Sequence, residues 1–177
     1  MAGPTRHRKV AAFFEIKGGN VRYHLQERAW SLSGAFTIRD DEDNVIFEVQ
    51  GGLFGDDLSM YDVSAGQEVV QIQKHLFGGY DIYRNGEHWA SAHELFHFFN
   101  ESFAVECDDG TTLQIDGDLW DWNFEVCDGS GDLVGQVSRD GGLFGDNYTV
   151  DVAPGIDAPC ILALVIIIEK VRERHNS

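Results

Sequence analysis

The string Gly-Gly-Leu-Phe-Gly-Asp occurs twice in this chain of 177 residues, at positions 51–56 and again at 141–146. Each copy is followed by an alternating apolar segment typical of a β-strand, LSMYDV after the first and NYTVDV after the second. An internal repeat constrains a fold more than a single motif does, because each repeated unit buries its apolar face only against its neighbours. We therefore expect the chain to be built by repetition of one β unit.

Looser copies of the unit lie around these two. Each has an apolar pair, a short turn, and then an aromatic residue or Leu separated by one residue from a β-branched residue or Met. The pairs begin at residues 29, 53, 76, 95, 119 and 143, so successive steps are 24, 23, 19, 24 and 24 residues. Such a step accommodates one antiparallel hairpin and its turns. The six pairs are Ala29-Trp30, Leu53-Phe54, Leu76-Phe77, Leu95-Phe96, Leu119-Trp120 and Leu143-Phe144.

Tight-turn sequences such as Ala65-Gly66 and Asn85-Gly86 separate the hairpins. Asn-Gly supplies the positive φ that a two-residue hairpin turn requires. Six hairpins predict a mainly β fold, a closed antiparallel barrel of about twelve strands, in which closure removes the exposed strand edges of an open sheet.

The periodicity changes after the last predicted strand, where Asp157 and Pro159 precede the apolar run Cys160 to Ile168. Asp157 is placed to cap a C-terminal helix of about residues 157–174, whose Arg and Lys residues fall near the end that favours cations. The uncharged stretch, Ala158 to Ile168, has 11 residues, too few for the roughly 18–20 that span a bilayer. A helix that is apolar on every side is buried, so we expect it inside the barrel and not transmembrane.

Charge is strongly unbalanced, with 30 acidic against 13 basic residues and a net charge of −17. The acids are spread through turns and strand faces, which indicates an acidic halophile-type surface whose self-repulsion is relieved by salt. We expect stability to rise from dilute buffer to molar salt. The charge excludes nucleic acid as a partner, because nucleic-acid binding needs a basic footprint.

The sequence predicts an N-terminal arm and one domain. A basic cluster at residues 6–9 belongs to a predicted N-terminal arm, residues 1–20, that is expected to be poorly ordered. Residues 21–177 are predicted to form a single domain that includes the helix. The apolar run Val10 to Phe14 is too short for a signal-peptide core, which favours the cytoplasm. Cys107, Cys127 and Cys160 show no paired metal spacing and are expected to be buried free thiols.

One motif suggests an enzyme. His93, Glu94 and His97 match the pattern H-E-x-x-H, in which a helix presents two imidazoles to zinc and the Glu activates water. The pattern overlaps the apolar pair Leu95-Phe96, so the repeat places it at a turn or strand end, where this geometry is not formed. A zinc hydrolase is thus the third functional alternative. We otherwise predict no catalytic residue, no cofactor and no metal site.

Two acidic turns are candidates for calcium binding, and the tryptophans are candidates for ligand stacking. The turns at 40–43 and 128–132 lack the spacing of a calcium loop with its terminal Glu, and they are interpreted as solvated turns. A ligand-stacking role has no support in the pattern of the tryptophans, which are expected to pack the barrel. They are Trp30, Trp89, Trp120 and Trp122.

Three segments together carry a family resemblance: YHLQERAWSLSGAFTIRDDEDNVIFEVQGGLFGDDLSMYD, GYDIYRNGEHWASAHELFHFFNESFAVE and the helical run ILALVIII. They resemble the LURP-one-related proteins, over about residues 21–171. The fold of that family is similar to the tubby C-terminal domain and to phospholipid scramblases. The resemblance implies a twelve-stranded barrel around a C-terminal hydrophobic helix, and it implies no set of catalytic residues.

The relatives suggest two functions. Tubby-like domains bind phosphoinositides through a basic cleft, but the predicted strands of this chain carry no cluster of Lys and Arg. The basic, palmitoylated and calcium-linked context of scramblases is also missing. Our first expectation is a non-enzymatic soluble barrel that acts as an interaction or scaffold module for an unknown partner. The alternative is a peripheral membrane or lipid-associated protein of the tubby or scramblase type.

Overall fold

The computed structural model describes residues 19–27, 36–52, 57–76, 78–92, 102–139 and 147–176. The predicted N-terminal arm lies almost entirely outside these ranges, and so do most residues of the two Gly-Gly-Leu-Phe-Gly-Asp strings. The account that follows concerns the described residues.

Within them the chain forms twelve antiparallel strands and one helix. Each strand pairs with its neighbour in the sequence, and β12 pairs with β1 to close the barrel. This confirms the predicted fold class. The strands are β1 Val21–Glu27, β2 Phe36–Arg39, β3 Val45–Gly51, β4 Leu58–Asp62, β5 Gln67–Lys74, β6 Tyr80–Arg84, β7 Glu87–Ala92, β8 Ser102–Cys107, β9 Thr112–Asp118, β10 Asn123–Cys127, β11 Leu133–Arg139 and β12 Asn147–Val152.

The connections alternate along the chain and define the two ends of the barrel. Each predicted apolar pair falls between an odd-numbered strand and the next even-numbered one, as Leu76 does between β5 and β6 and Leu119 between β9 and β10. Because neighbouring strands are antiparallel, these connections share one end, which we call the repeat-loop end. The other connections lie at the tight-turn end, where Asn85 and Gly86 have the predicted positive φ values of 52° and 84°.

The helix α1, Ala158–Asn176, runs through the barrel from the tight-turn end to the repeat-loop end. The backbone oxygen of Asp157 accepts hydrogen bonds from the N–H groups of Cys160 and Ile161 at its start. Every residue from Cys160 to Ile168 is buried, and the helix packs against β5, β6 and β12. The predicted buried position of the helix is therefore confirmed.

Close packing between helix and wall depends on a small residue. A Cβ atom added to Gly135 on β11 would lie 3.0 Å from Cγ2 of Ile161 and 3.5 Å from Cβ of Val126. Glycine therefore lets the helix approach this strand more closely than a larger residue would. Each Ile or Val buried in this core contributes roughly 1.5–3 kcal/mol relative to an exposed side chain.

The tryptophans do not all follow the prediction. Trp122 is buried in the core, and Trp89 is partly buried and packs against it. Trp120, however, is 42% exposed, so its predicted packing role is wrong. It lies in the β9–β10 connection, outside both strands. Trp30 lies outside the described residues.

The three cysteines are free thiols. Cys107 and Cys160 are buried as predicted, whereas Cys127 on β10 is only half-buried. Burial raises the pKa of the Cys107 thiol to about 11 and that of the Cys160 thiol to about 12. Raised pKa values disfavour the thiolate that reacts with oxidants and metals.

Candidate functional site

The metal site suggested by the sequence is considered first. His93, Glu94 and His97 lie outside the described residues, so the zinc motif stays untested. Among the described residues, no group of three or more His, Cys, Asp or Glu side chains is arranged to hold a metal ion.

The acidic turns use their first carboxylate to close the turn. Asp40 Oδ1 accepts hydrogen bonds from the N–H groups of Glu42 and Asn44, both at 2.9 Å. Asp128 Oδ1 accepts equivalent bonds from Ser130 at 2.8 Å and Asp132 at 3.0 Å. Hydrogen bonds from the Asn44 side chain and backbone lower the pKa of Asp40. These are Asx-type turns, which fits the interpretation of solvated turns.

A polar network on the outside of the barrel was not foreseen from the sequence. Ser91 Oγ on β7 donates a hydrogen bond to Asp81 Oδ1 on β6 at 2.7 Å, and His75 Nε2 lies 2.8 Å from Asp81 Oδ2. His88 Nδ1 lies 2.8 Å from Asp108 Oδ2, and His88 Nε2 lies 3.2 Å from Ser91 Oγ. We call these five residues the histidine network.

The order Asp108, His88, Ser91 resembles the contacts of a serine hydrolase triad, but the protons are placed differently. The Ser91 hydroxyl donates to Asp81, so its hydrogen does not point at the imidazole. The hydrogen bond with Asp108 raises the pKa of His88, and the hydrogen bond with Asp81 adds to this effect. Together they outweigh desolvation, which would lower the pKa. The raised pKa favours the imidazolium, whereas only the neutral imidazole can take the proton of a nucleophile.

Asp81 completes this ionic arrangement. Burial alone would raise the pKa of Asp81, but hydrogen bonds with Ser91, His75 and His88 outweigh that effect and lower it. Imidazolium and carboxylate therefore stabilise each other across β6, β7 and the β8–β9 turn. The histidine network thus links β6, β7 and the β8–β9 turn on the outer wall of the barrel.

A second group of side chains lies at the repeat-loop end, where the helix emerges. Three cations near the end of α1 each lie over an aromatic ring at the start of an even-numbered strand. The three strands, β2, β6 and β10, are each four strands apart around the barrel. We call these six residues the helix-end cluster: Lys170 Nζ is 5.2 Å from the Phe36 ring centroid, Arg172 Cζ is 4.7 Å from that of Trp122, and Arg174 Cζ is 5.4 Å from that of Tyr80.

Arg172 joins the helix to the β9–β10 connection. Its Nη1 donates to Glu169 Oε2 at 3.0 Å, and its Nη2 donates to the backbone oxygen of Trp120 at 3.1 Å. The ring of Trp122 beneath it is stacked on Tyr148, with 3.7 Å between centroids. Cation–π contacts of this kind gain strength where water is excluded. They hold the helix end to the wall of the barrel.

Two apolar side chains at the same end face solvent, and we call them the rim residues. Leu76 is 98% exposed, and Trp120 is 42% exposed. Both lie in closed turns, since the N–H of His75 donates to Gly79 O at 3.0 Å and the N–H of Trp120 donates to Asp118 Oδ1 at 3.0 Å. The turns therefore fix the backbone at both positions.

The sequence indicated part of this arrangement at the repeat-loop end. Leu76 and Trp120 are members of the apolar pairs that defined the repeat, and the topology places their connections at one end. The cations of α1 were interpreted through the helix dipole alone, because nothing in the sequence connects Arg172 with a ring fifty residues away.

Within the described ranges, no helix combines the length and the apolar character needed to cross a bilayer.

Comparisons with known proteins agree with this architecture. The profile of the LURP-one-related family matches residues 21–169. The uncharacterized protein YxjI of Bacillus subtilis is 28% identical over 156 residues, which cover 85% of this chain and 93% of that protein. A protein of Arabidopsis thaliana solved by X-ray crystallography superimposes with a TM-score of 0.60 at 23% identity, over 86% of this chain and 91% of its own. That structural likeness supports the fold.

Proposed function

This chain belongs to the LURP-one-related family, and we propose that it is a non-enzymatic interaction module of the cytoplasm whose partner binds at the repeat-loop end. The observation that carries the proposal is the exposure of Leu76 and Trp120 at that end. Single exposed apolar residues are common on protein surfaces. These two differ because they belong to apolar pairs of two repeats and lie at the same end of the barrel, each within a closed turn.

The ion-pairing of the histidine network also favours a binding role over catalysis. His88 carries the geometry of a general base, but its two carboxylate neighbours favour the charged form. Ser91 donates its hydroxyl hydrogen to Asp81.

Site-specific photo-crosslinking in the host's cells tests the proposal. The photoreactive residue p-benzoylphenylalanine replaces Leu76, and the matched control places it at Val63. Val63 is 46% exposed in the β4–β5 turn at the opposite end of the barrel. We expect a protein adduct of defined mass from position 76 and none from position 63, and we expect Trp120→Ser to weaken the adduct. Equal yields from both positions, or none from either, would overturn the proposal.

A second candidate is a peripheral membrane protein that touches lipid with the same end. Trp120 favours it, because an exposed indole on a residue that contacts a cation, Arg172, matches the chemistry of a membrane interface. Flotation with phosphatidylcholine vesicles, with and without phosphatidylserine and calcium, in molar salt, separates the candidates. Co-flotation that Leu76→Asp abolishes supports the membrane role, whereas failure of the folded protein to float leaves the protein-binding module.

A further inference from the structure

All connections at the tight-turn end of the barrel lie within the described residues, and they are strongly acidic. They contain nine Asp and Glu residues and no Lys, Arg or His. Two cations stand at neighbouring strand ends, but Arg39 lies 3.5 Å from Asp43 and Arg84 pairs with Asp157 at 2.9 Å. The six connections are residues 40–44, 63–66, 85–86, 108–111, 128–132 and 153–157.

Apolar side chains are exposed at the same end. Five large hydrophobic side chains are exposed among the described residues, and three of them lie here: Val21 at 48%, Val63 at 46% and Ile156 at 36%. Val21 begins β1, and Ile156 lies between α1 and β12, the barrel neighbour of β1. Val63 lies close to the acidic turn 40–44, since its N–H donates to the backbone oxygen of Ile46 on β3 at 3.0 Å. The tight-turn end therefore presents both acidic and apolar groups to solvent.

The chain enters the barrel at this end. A Cβ atom added to Gly19 would lie 4.0 Å from Cγ of Pro154 in the β12–α1 connection. The preceding residues, 1–18, contain four Lys and Arg residues and one Glu, a net charge of +3. The rest of the chain has 9 basic against 29 acidic residues, a net charge of −20. The N-terminal segment is therefore opposite in charge to the surface beside which the chain enters.

The spacing within this segment fits the two kinds of group. The apolar run Val10 to Phe14 lies between the basic cluster at residues 6–9 and Lys17. Phe14 is five residues from Gly19, so an extended chain allows up to about 17 Å between them. Val63 follows β4, three strands from β1, and the usual strand spacing places it roughly 14 Å away. The apolar run is thus long enough to reach Val63, and the basic residues can reach the acidic connections.

We propose that the tight-turn end is a docking surface for the chain's own N-terminal segment, residues 6–17. The apolar run covers Val63, and the Arg and Lys residues pair with the acidic connections, above all the turn 40–44. Burial of apolar groups supplies affinity, while the opposite charges select this end of the barrel. The proposal goes beyond the interaction role at the repeat-loop end, and either one can fail without the other.

The first test is photo-crosslinking in the purified full-length protein, with p-benzoylphenylalanine in place of Val63. We expect mass spectrometry to find crosslinks from position 63 to residues 6–17, at several times the yield obtained from the matched control position, Leu76. Such a crosslink lies within one chain and adds no partner mass, so position 63 keeps its role as the control in cells. Equal yields from both positions, or no crosslink to the segment, would overturn the proposal.

Charge reversal and salt test the electrostatic part. Arg6→Glu, Arg8→Glu and Lys9→Glu together should reduce the crosslink yield from position 63 several-fold. Raising sodium chloride from about 10 mM to about 1 M shortens the Debye length from about 30 Å to about 3 Å, so it should also reduce the yield. A yield that responds to neither change would contradict docking by complementary charge.

A mixture of unlabelled protein and protein labelled with nitrogen-15 identifies the chain that supplies the segment. Crosslinked peptides that each carry a single isotope come from one chain and support the proposal. Peptides of mixed isotope would mean that the tight-turn end binds the segment of a second copy, which overturns it.

Limited proteolysis tests the unaltered protein. Trypsin cleaves after Arg6, Arg8 and Lys9, and a chain bound to a surface must detach before it is cleaved. A synthetic peptide of residues 1–20 is the control at each salt concentration. We expect the protein to be cleaved more slowly than the peptide in dilute buffer, with a smaller difference in molar salt. Equal rates in dilute buffer would show that the segment is not docked.

Discussion

Arg84 Nε donates a hydrogen bond to Asp157 Oδ2 at 2.9 Å, and this ion pair joins the end of β6 to the residue that precedes α1. Arg84 also donates to the backbone oxygen of Val69 at 2.9 Å, so its guanidinium is anchored to β5 as well. The helix is thus held at the tight-turn end by an ion pair and at the repeat-loop end by the helix-end cluster.

Removing the ion pair is expected to have a modest effect. Asp157→Ala should lower the free energy of unfolding by about 1 kcal/mol, because the carboxylate is 46% exposed and water screens the pair. Urea denaturation of Asp157→Ala, Arg84→Ala and the double variant measures the coupling. The surface pair Arg22 and Asp151, at 2.7 Å, is the matched control. A coupling of zero between Arg84 and Asp157 would contradict the anchoring role.

A charge inside the barrel should have a much larger effect. Ile166 is fully buried, and Ile166→Asp leaves an unpaired carboxylate in the core, so we expect a loss of about 3–5 kcal/mol in the free energy of unfolding. Ile156→Asp, at a position 36% exposed, should change it by less than about 0.5 kcal/mol. An Ile166→Asp variant that is as stable as the parent but no longer binds membranes would instead favour the peripheral membrane candidate.

One glycine in β9 is expected to tolerate no side chain. Gly117 has φ of 131°, and an added Cβ would lie 2.6 Å from Asn123 O and 2.7 Å from Phe124 Cα. Gly131 also has a positive φ, 85°, but a Cβ there has open space. Both Ala variants lose stability through backbone strain, and Gly117→Ala should cost at least about 1–3 kcal/mol more because of the clash. Equal midpoints in urea for the two variants would show that the strand shifts to relieve it.

The histidine network predicts a pH dependence with a definite sign. The pKa of His88 is raised in the folded protein, so its contribution is fully present below the unfolded value of 6.5 and is lost as pH rises through the folded pKa. The difference in thermal midpoint between the parent and His88→Gln should therefore shrink from about pH 6 to about pH 9.

Asp108→Asn provides the control for this pH dependence. It removes the hydrogen-bond partner that contributes most to the raised pKa of His88. In this background the effect of His88→Gln should change less with pH. A pH dependence as large as in the parent would show that Asp108 does not cause it.

Much of the architecture follows from local pattern. The spacing of pairs such as Leu76-Phe77 and Leu119-Trp120 predicted where the chain turns, because a hairpin needs a fixed number of residues. The run from Cys160 to Ile168 predicted a buried helix, because no face of it tolerates water. Asn85-Gly86 predicted a tight turn through its backbone preferences.

The sites could not be predicted in the same way. The histidine network joins Asp81, His88 and Asp108, which become neighbours only when β6, β7 and β8 pair in their actual register. A shift of one residue would move Asp81 to the inner face. The exposure of Trp120 likewise depended on where the last strand contact ends.

The sequence by itself determined that this protein is a closed barrel of repeated hairpins around an apolar helix, since hydrophobic periodicity and turn chemistry are properties of neighbouring residues. Only the tertiary structure decided that Arg172 lies over Trp122. Contacts between distant residues depend on barrel closure and on the position of the helix within it. No pattern among neighbouring residues in the sequence indicates either of them.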